Sequence, residues 1–154
     1  MLLERVLSKQ TIKLDISDVD KWTVIEDLID LIMDSGITAD REAIYSAVID
    51  REKQASTGVA NGIAIPHART DGVSELVAAL GVSKDGIDFD SVDGKPCHLI
   101  FLIVAPHGES TTYLKALTAV AFIGKDKEKI ARLKSATSSE ELVSILEELG
   151  EGSS

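Results

Sequence analysis

The sequence predicts an α/β fold in which a sheet is covered by helices on both faces. Apolar residues recur at helical spacing at both ends of the chain, short β-prone apolar runs fill the middle, and no Pro/Gly/Ser-rich linker divides them. With 154 residues the chain has the roughly 150 of a typical single domain. Residues 1–149 are therefore expected to form one unit, followed by a small-residue tail, 150–154, that has nothing to bury and frays.

In the first third, Val24, Ile25, Leu28, Ile29 and Ile32 repeat at helical spacing over residues 22–35, with Asp20 as N-cap and Gly36 just past the end. Asp40 caps a second helix whose inner stripe is Ile44, Ala47 and Val48, closed by the polar stretch 51–54. Residues 62–68, 76–82 and 99–104 are apolar runs bounded by Gly, Asp and Pro, and read as strands. Helical spacing returns after Pro106, with Leu114, Leu117 and Ala121 on one face and Gly124 as the stop. Asp126 opens a short helix containing Ile130 and Leu133. Ser138 and Glu141 make an S-x-x-E capping box ahead of Leu142, Ile145, Leu146 and Leu149.

Hydrophobic residues at 44% and charged residues at 27% are the composition of a folded domain. The longest apolar run, 99–105, is far short of the roughly 20 residues that span a bilayer. Glu4 and Arg5 stand where a secretory signal would carry its apolar centre. Cys97 is the only cysteine, which excludes an internal disulfide and a paired-thiolate metal site and fits the cytoplasm. A formal net charge of −10 argues against nucleic acid, so a protein or small-molecule partner is expected.

The chemistry concentrates in residues 56–69, where small and turn-prone residues run into an apolar strand ending in His67. Gly58 and Gly62 permit positive φ, so the loop can turn backbone N–H groups toward an anion. Pro66 fixes φ ahead of His67. A neutral imidazole, with an ordinary pKa of about 6.5, is a nucleophile near physiological pH and can attack phosphorus directly. Arg51 offers a planar fork for two phosphoryl oxygens, and Thr57 offers a hydroxyl donor. Read singly, each has a plainer role: His67 as an exposed strand end, Arg51 as a solvated face, Thr57 as a turn residue. Gly81 and Gly86 have the spacing that begins a P-loop, but Ile87 replaces the required lysine. Cys97 and His98 are adjacent in a strand and point to opposite faces, which argues against a metal site. His107, after Pro106, is expected to face solvent.

The run REKQASTGVANGIAIPHAR, residues 51–69, resembles the active-site signature of enzyme IIA components of the mannitol/fructose type in the bacterial sugar phosphotransferase system, including their nitrogen-regulatory relatives. The opening LSKQTIKLDI, the segment IDFDSVDGKP and the LIFLIVAP run sit in the same order as in that family. The resemblance implies a three-layer α/β/α sandwich with a mixed sheet of about five strands. It implies His67 as phosphoacceptor and Arg51 beside it, with no metal and no organic cofactor. Its implied partners are HPr or a nitrogen-branch counterpart as donor, and a IIB domain or a regulated protein as recipient. Tyr113 stands where many members carry a second active-site histidine, and Ala60 where glycine is usual. Tyrosine can donate a hydrogen bond to a phosphoryl oxygen but cannot become cationic.

Three uses follow: a transport component that discharges to a IIB domain, a regulatory module switched by phosphate on His67, or an interaction domain that has lost transfer. A chain carrying this unit alone suits the second. A carrier that docks two partners in turn is expected to present a small apolar patch around His67 rather than a deep pocket.

Overall fold

A computed structural model describes residues 3–17 and 20–152. The chain opens with a short helix, α1 (Leu3–Val6), a 3-10 turn (Lys9–Thr11) and a short strand, β1 (Ile12–Lys13). Two helices follow, α2 (Lys21–Asp34) and α3 (Arg41–Gln54), each started by an aspartate that accepts a backbone N–H: Asp20 from Trp22, Asp40 from Ala43. After them come β2 (Ile63–Ala64), β3 (His67–Arg69), β4 (Val77–Ile87) and β5 (Cys97–Ala105), then α4 (Ser110–Gly124), α5 (Lys127–Lys134) and α6 (Ser139–Gly152).

The strands form one five-stranded sheet. β1 runs parallel to β4, β4 antiparallel to β5, and β2 and β3 both pair parallel with β5. The sheet is therefore mixed. Alternation along the strands separates two cores. Leu80, Val82, Leu99, Phe101 and Ile103 face α1, α4, α5 and α6, while Ala79, Ile100, Leu102 and Val104 face α2 and α3. Helices on both faces of a mixed sheet are the three layers expected.

Three details differ from the sequence reading. Residues 62–68 do not form one strand: β2 and β3 are two pieces of one edge, broken at Ile65 and Pro66, and His67 begins β3 rather than ending a strand. Proline has no N–H to give a ladder, and the Ile65 N–H turns away from β5 to the carbonyl of Thr57 (3.1 Å). In α4 the buried stripe is Tyr113, Ala116, Val120 and Ile123, one residue out of step with the predicted face, and Leu114 is 59% exposed. At α6 the Ser138 hydroxyl accepts from the Glu141 N–H (3.0 Å), but the Glu141 carboxylate caps Thr137 instead of reaching back to Ser138. α6 continues past Leu149 to Gly152, and residues 153–154 of the expected tail lie outside the described residues.

Candidate functional site

The site lies at the open edge of the sheet, where β3 passes between α3 and α4. In β3, Ala68 points into the core under α3, so His67 and Arg69 point toward the α4 layer, where Tyr113 belongs. The His67 and Tyr113 rings are 6.0 Å apart at 55°. Arg69 lies over the Tyr113 ring (5.6 Å) and donates from its guanidinium to the Ser110 hydroxyl (2.8 Å) at the start of α4. From the other side, Arg51 in the last turn of α3 donates to the carbonyl of Ala55 (3.0 Å). Arg51, Arg69, His107 and Tyr113 line one shallow depression of about 320 Å³.

His67 is half-buried, and its Nδ1 lies 2.5 Å from the carbonyl of Ile65. A carbonyl only accepts, so Nδ1 carries the proton and Nε2 holds the free lone pair. Burial, aided by the positive charge of Arg51, lowers the His67 pKa below its ordinary value, against the Ile65 hydrogen bond and the charge of Glu52, which raise it. The ring is a neutral base at physiological pH. Burial also raises the pKa of Tyr113, against the charges of Arg69 and Arg51, so its hydroxyl stays protonated and able to donate.

Thr57 occupies a different place from the one expected. It is 5% exposed, and its hydroxyl donates to Glu52 Oε1 (2.6 Å) while its N–H donates to Glu52 Oε2 (2.9 Å). A hydroxyl proton so committed is not available to a phosphoryl oxygen. The loop amides are likewise engaged: the Gly58 N–H donates to Ser56 Oγ (3.0 Å), that of Val59 to the carbonyl of Ile63 (2.8 Å) and that of Asn61 to Asp93 (3.4 Å). Gly62 does adopt the positive φ foreseen (+82°), whereas Gly58 is needed for space, since a Cβ there would come 2.7 Å from Ser91 Oγ. The amides of Gly58, Val59 and Asn61 are therefore not turned together toward an open nest.

Comparison with known proteins identifies the family. The family described as phosphoenolpyruvate-dependent sugar phosphotransferase system, EIIA 2, matches residues 5–149. The chain belongs to this family. A fructose-specific EIIA component of Haloferax volcanii is 37% identical over 92% of both chains, and a nitrogen regulatory protein of Pseudomonas aeruginosa is 30% identical over 97% of both. The fructose-specific EIIABC component of Bacillus subtilis is 39% identical over 95% of this chain, which spans 23% of that protein. Among solved structures, nitrogen regulatory protein IIA-Ntr of Neisseria meningitidis superposes with a TM-score of 0.84 at 30% identity, covering 95% of this chain and 99% of that one.

For this EIIA type-2 chain, the sequence reading missed three residues that the fold brings near His67. Arg69 sits in the same strand as His67 and on the same side, which a period of two would have flagged. Glu52 lies in the polar stretch 51–54, where acids are ordinarily solvated, yet its side chain is fully buried. Lys21, also buried, pairs with Glu52 across 31 residues of sequence, and no local pattern announces that. The depression is lined by Asp50, Arg51, Gln54, Arg69 and His107 together with Ala47, Ala68 and Tyr113. His107 is exposed, as foreseen, and faces Asp71 (3.3 Å). His98 gives Nδ1 to the carbonyl of Ser83 (2.9 Å), a structural role, and among the described residues no cluster of ligating side chains could hold a metal. None of the described helices is long and apolar enough to cross a membrane.

Proposed function

We propose that the chain is a phosphoryl carrier that accepts a phosphoryl group on Nε2 of His67 from a phosphohistidine of an HPr-type protein. The lone pair of Nε2 attacks phosphorus in line. The new N–P bond forms as the donor's N–P bond breaks, and the electron pair of that bond returns to the donor imidazole. No proton need move, because the His67 proton stays on Nδ1 against Ile65. The transferring group's charge, spread over its equatorial oxygens, would meet Arg51 and Arg69, with the Tyr113 hydroxyl as a further donor. Arg69 supplies the positive charge that Tyr113 cannot.

The observation that carries this reading is the Nδ1 hydrogen bond to Ile65, which leaves Nε2 as the free nucleophile beside Arg51. Incubation with phosphorylated HPr or its nitrogen-branch counterpart should put an acid-labile phosphate on the protein and none on His67→Ala. An unmodified wild type, with a donor proven active on another IIA protein, would refute it.

Two fates of the phosphate remain distinct. Relatives named as fructose-specific favour discharge to a IIB domain, and the Escherichia coli mannitol IIA, which shares this fold, is known in a complex with phosphorylated IIB (TM-score 0.78 at 23% identity). The Pseudomonas and Neisseria relatives favour a cytoplasmic regulatory switch, in which the added charge of about two units alters a docking surface. Adding IIB domains separates them: rapid loss of phosphate marks the transport use, retention the regulatory one. The Tyr113 substitution alone favours the impaired module, which predicts no phosphate in the first experiment.

A further inference from the structure

Behind the reactive histidine lies a buried ion pair that the transfer chemistry does not use. The Glu52 carboxylate is fully buried and accepts from Lys21 Nζ (3.3 Å) and from both the N–H and the hydroxyl of Thr57. Lys21 is itself 7% exposed, lies over the Trp22 ring (4.8 Å) and also meets Asp90 (3.2 Å) at the surface. Such a pair gains little net stability, because desolvating two charges offsets their attraction, and matched apolar residues would often serve as well. Its geometry suggests a different use.

From Glu52 an unbroken line of hydrogen bonds runs to the imidazole. Both Glu52 oxygens hold Thr57. The carbonyl of Thr57 accepts the N–H of Ile65 (3.1 Å), and the carbonyl of Ile65 accepts Nδ1–H of His67. A second tie braces the same loop: Ser56 Oγ donates to the carbonyl of Phe89 and accepts the Gly58 N–H, and the Gly58 carbonyl accepts the N–H of Val92 (3.3 Å). The Ile65 carbonyl sets which ring nitrogen bears the proton, so whatever fixes that carbonyl also fixes the direction of the nucleophilic lone pair.

We propose that Glu52, held by Lys21, is a positioning residue that acts through Thr57 and Ile65 to keep His67 in its Nδ1–H tautomer with Nε2 aimed outward. The proposal rests on the carrier reading for its consequence, but its first test does not involve phosphate. In protein labelled with ¹⁵N at histidine, the imidazole shifts report the tautomer and the pKa of His67 directly. The groups that face this ring are Arg51 and Glu52 from α3, Tyr113 from α4 and Arg69 from its own strand.

Three variants are informative. Thr57→Val removes one donor and leaves the ion pair, Glu52→Gln removes the charge, and Lys21→Met with Glu52→Leu removes the pair without stranding a buried charge. In each, the Nδ1–H population should fall, and in Glu52→Gln the His67 pKa should drop further, since the lost charge was raising it. Phosphorylation by the HPr-type donor should slow by about 10- to 100-fold, the scale of a misaimed reacting group, while the thermal transition of the double variant persists. Thr57→Ser, which keeps the hydroxyl, should restore the rate.

If the folded double variant keeps the wild-type tautomer, or transfers within about twofold of wild type, the proposal is overturned. Should Glu52→Gln fail to fold, the double variant and Thr57→Val still decide it. Failure of the wild type to accept phosphate would refute the carrier reading instead, and the tautomer measurement would remain a test of Glu52.

Discussion

The two flanks of His67 are built differently. Beneath Arg51 on the α3 side, which itself has one bond to the Ala55 carbonyl, a charged pair is buried and multiply tied: Glu52 meets two residues through three bonds, and Lys21 meets two carboxylates. On the α4 side, Arg69 is exposed and holds on by one hydroxyl and the face of one ring, and His107 by one exposed aspartate. A rigid flank fixes where a nucleophile points, because desolvated groups with several partners have one arrangement. An exposed flank with single contacts can rearrange at little cost, since such pairs contribute only a few tenths to about 1 kcal/mol. A carrier of the kind proposed, with two partners docking in turn, calls on both kinds.

The comparison can be broken most directly at its centre. His67→Ala should abolish the acid-labile phosphate altogether, as read by mass spectrometry after incubation with the donor, leaving neither flank anything to serve. Arg51→Gln should slow acceptance by about 100-fold, the usual consequence of losing one donor to developing charge. It should also raise the His67 pKa, because Arg51 holds it down.

That pKa sharpens the contrast through pH. The folded value lies below the ordinary one, so the unfolded chain takes up its proton first as pH falls. The stability contributed by the neutral ring is therefore complete above about pH 6.5 and is lost as pH falls from there through the lower folded value. The rate of acceptance should likewise hold steady through the ordinary imidazole range and decline only in more acid solution, whereas Arg51→Gln should begin its decline at higher pH.

On the exposed flank the effects should be smaller. Arg69→Gln should slow acceptance about 10- to 30-fold, the worth of one hydrogen bond to a charged group, with the His67 tautomer unchanged. An altered tautomer would mean that the α4 side also orients the ring. Tyr113→Phe should cost about three- to tenfold, as one neutral hydrogen bond does, in single-turnover transfer assays.

Much of this architecture was legible in the chain. Asp20, Asp40 and Asp126 each cap the helix they precede, and the 3.6-residue stripes of α2, α5 and α6 are buried as their spacing requires. The family signature placed Arg51 near His67. What escaped were features decided across the fold. The face of α4 depends on which side the sheet lies, and a helix as apolar as 110–124 offers two overlapping stripes, of which packing chose the one through Tyr113. The break falls where Pro66 has no N–H to give β5, and the Ile65 N–H, on the outer side of the strand, meets Thr57, a residue eight positions back. Glu52 reads as solvent-facing until Lys21, from another helix, arrives to neutralise it.

The interruption at Ile65 and Pro66 has one more effect. β2 and β3 form one margin of the sheet, and a long flat margin invites a stray extended chain to add itself as the next strand, the first step toward aggregation. Here residues 57–59 already cover β2, through Val59 N–H to Ile63 and Ile65 N–H to Thr57, so an intruder would find only the three residues of β3 beyond the proline, with Arg69 standing at the far end. The segment that carries the His67 imidazole thus denies neighbouring molecules all but a short template.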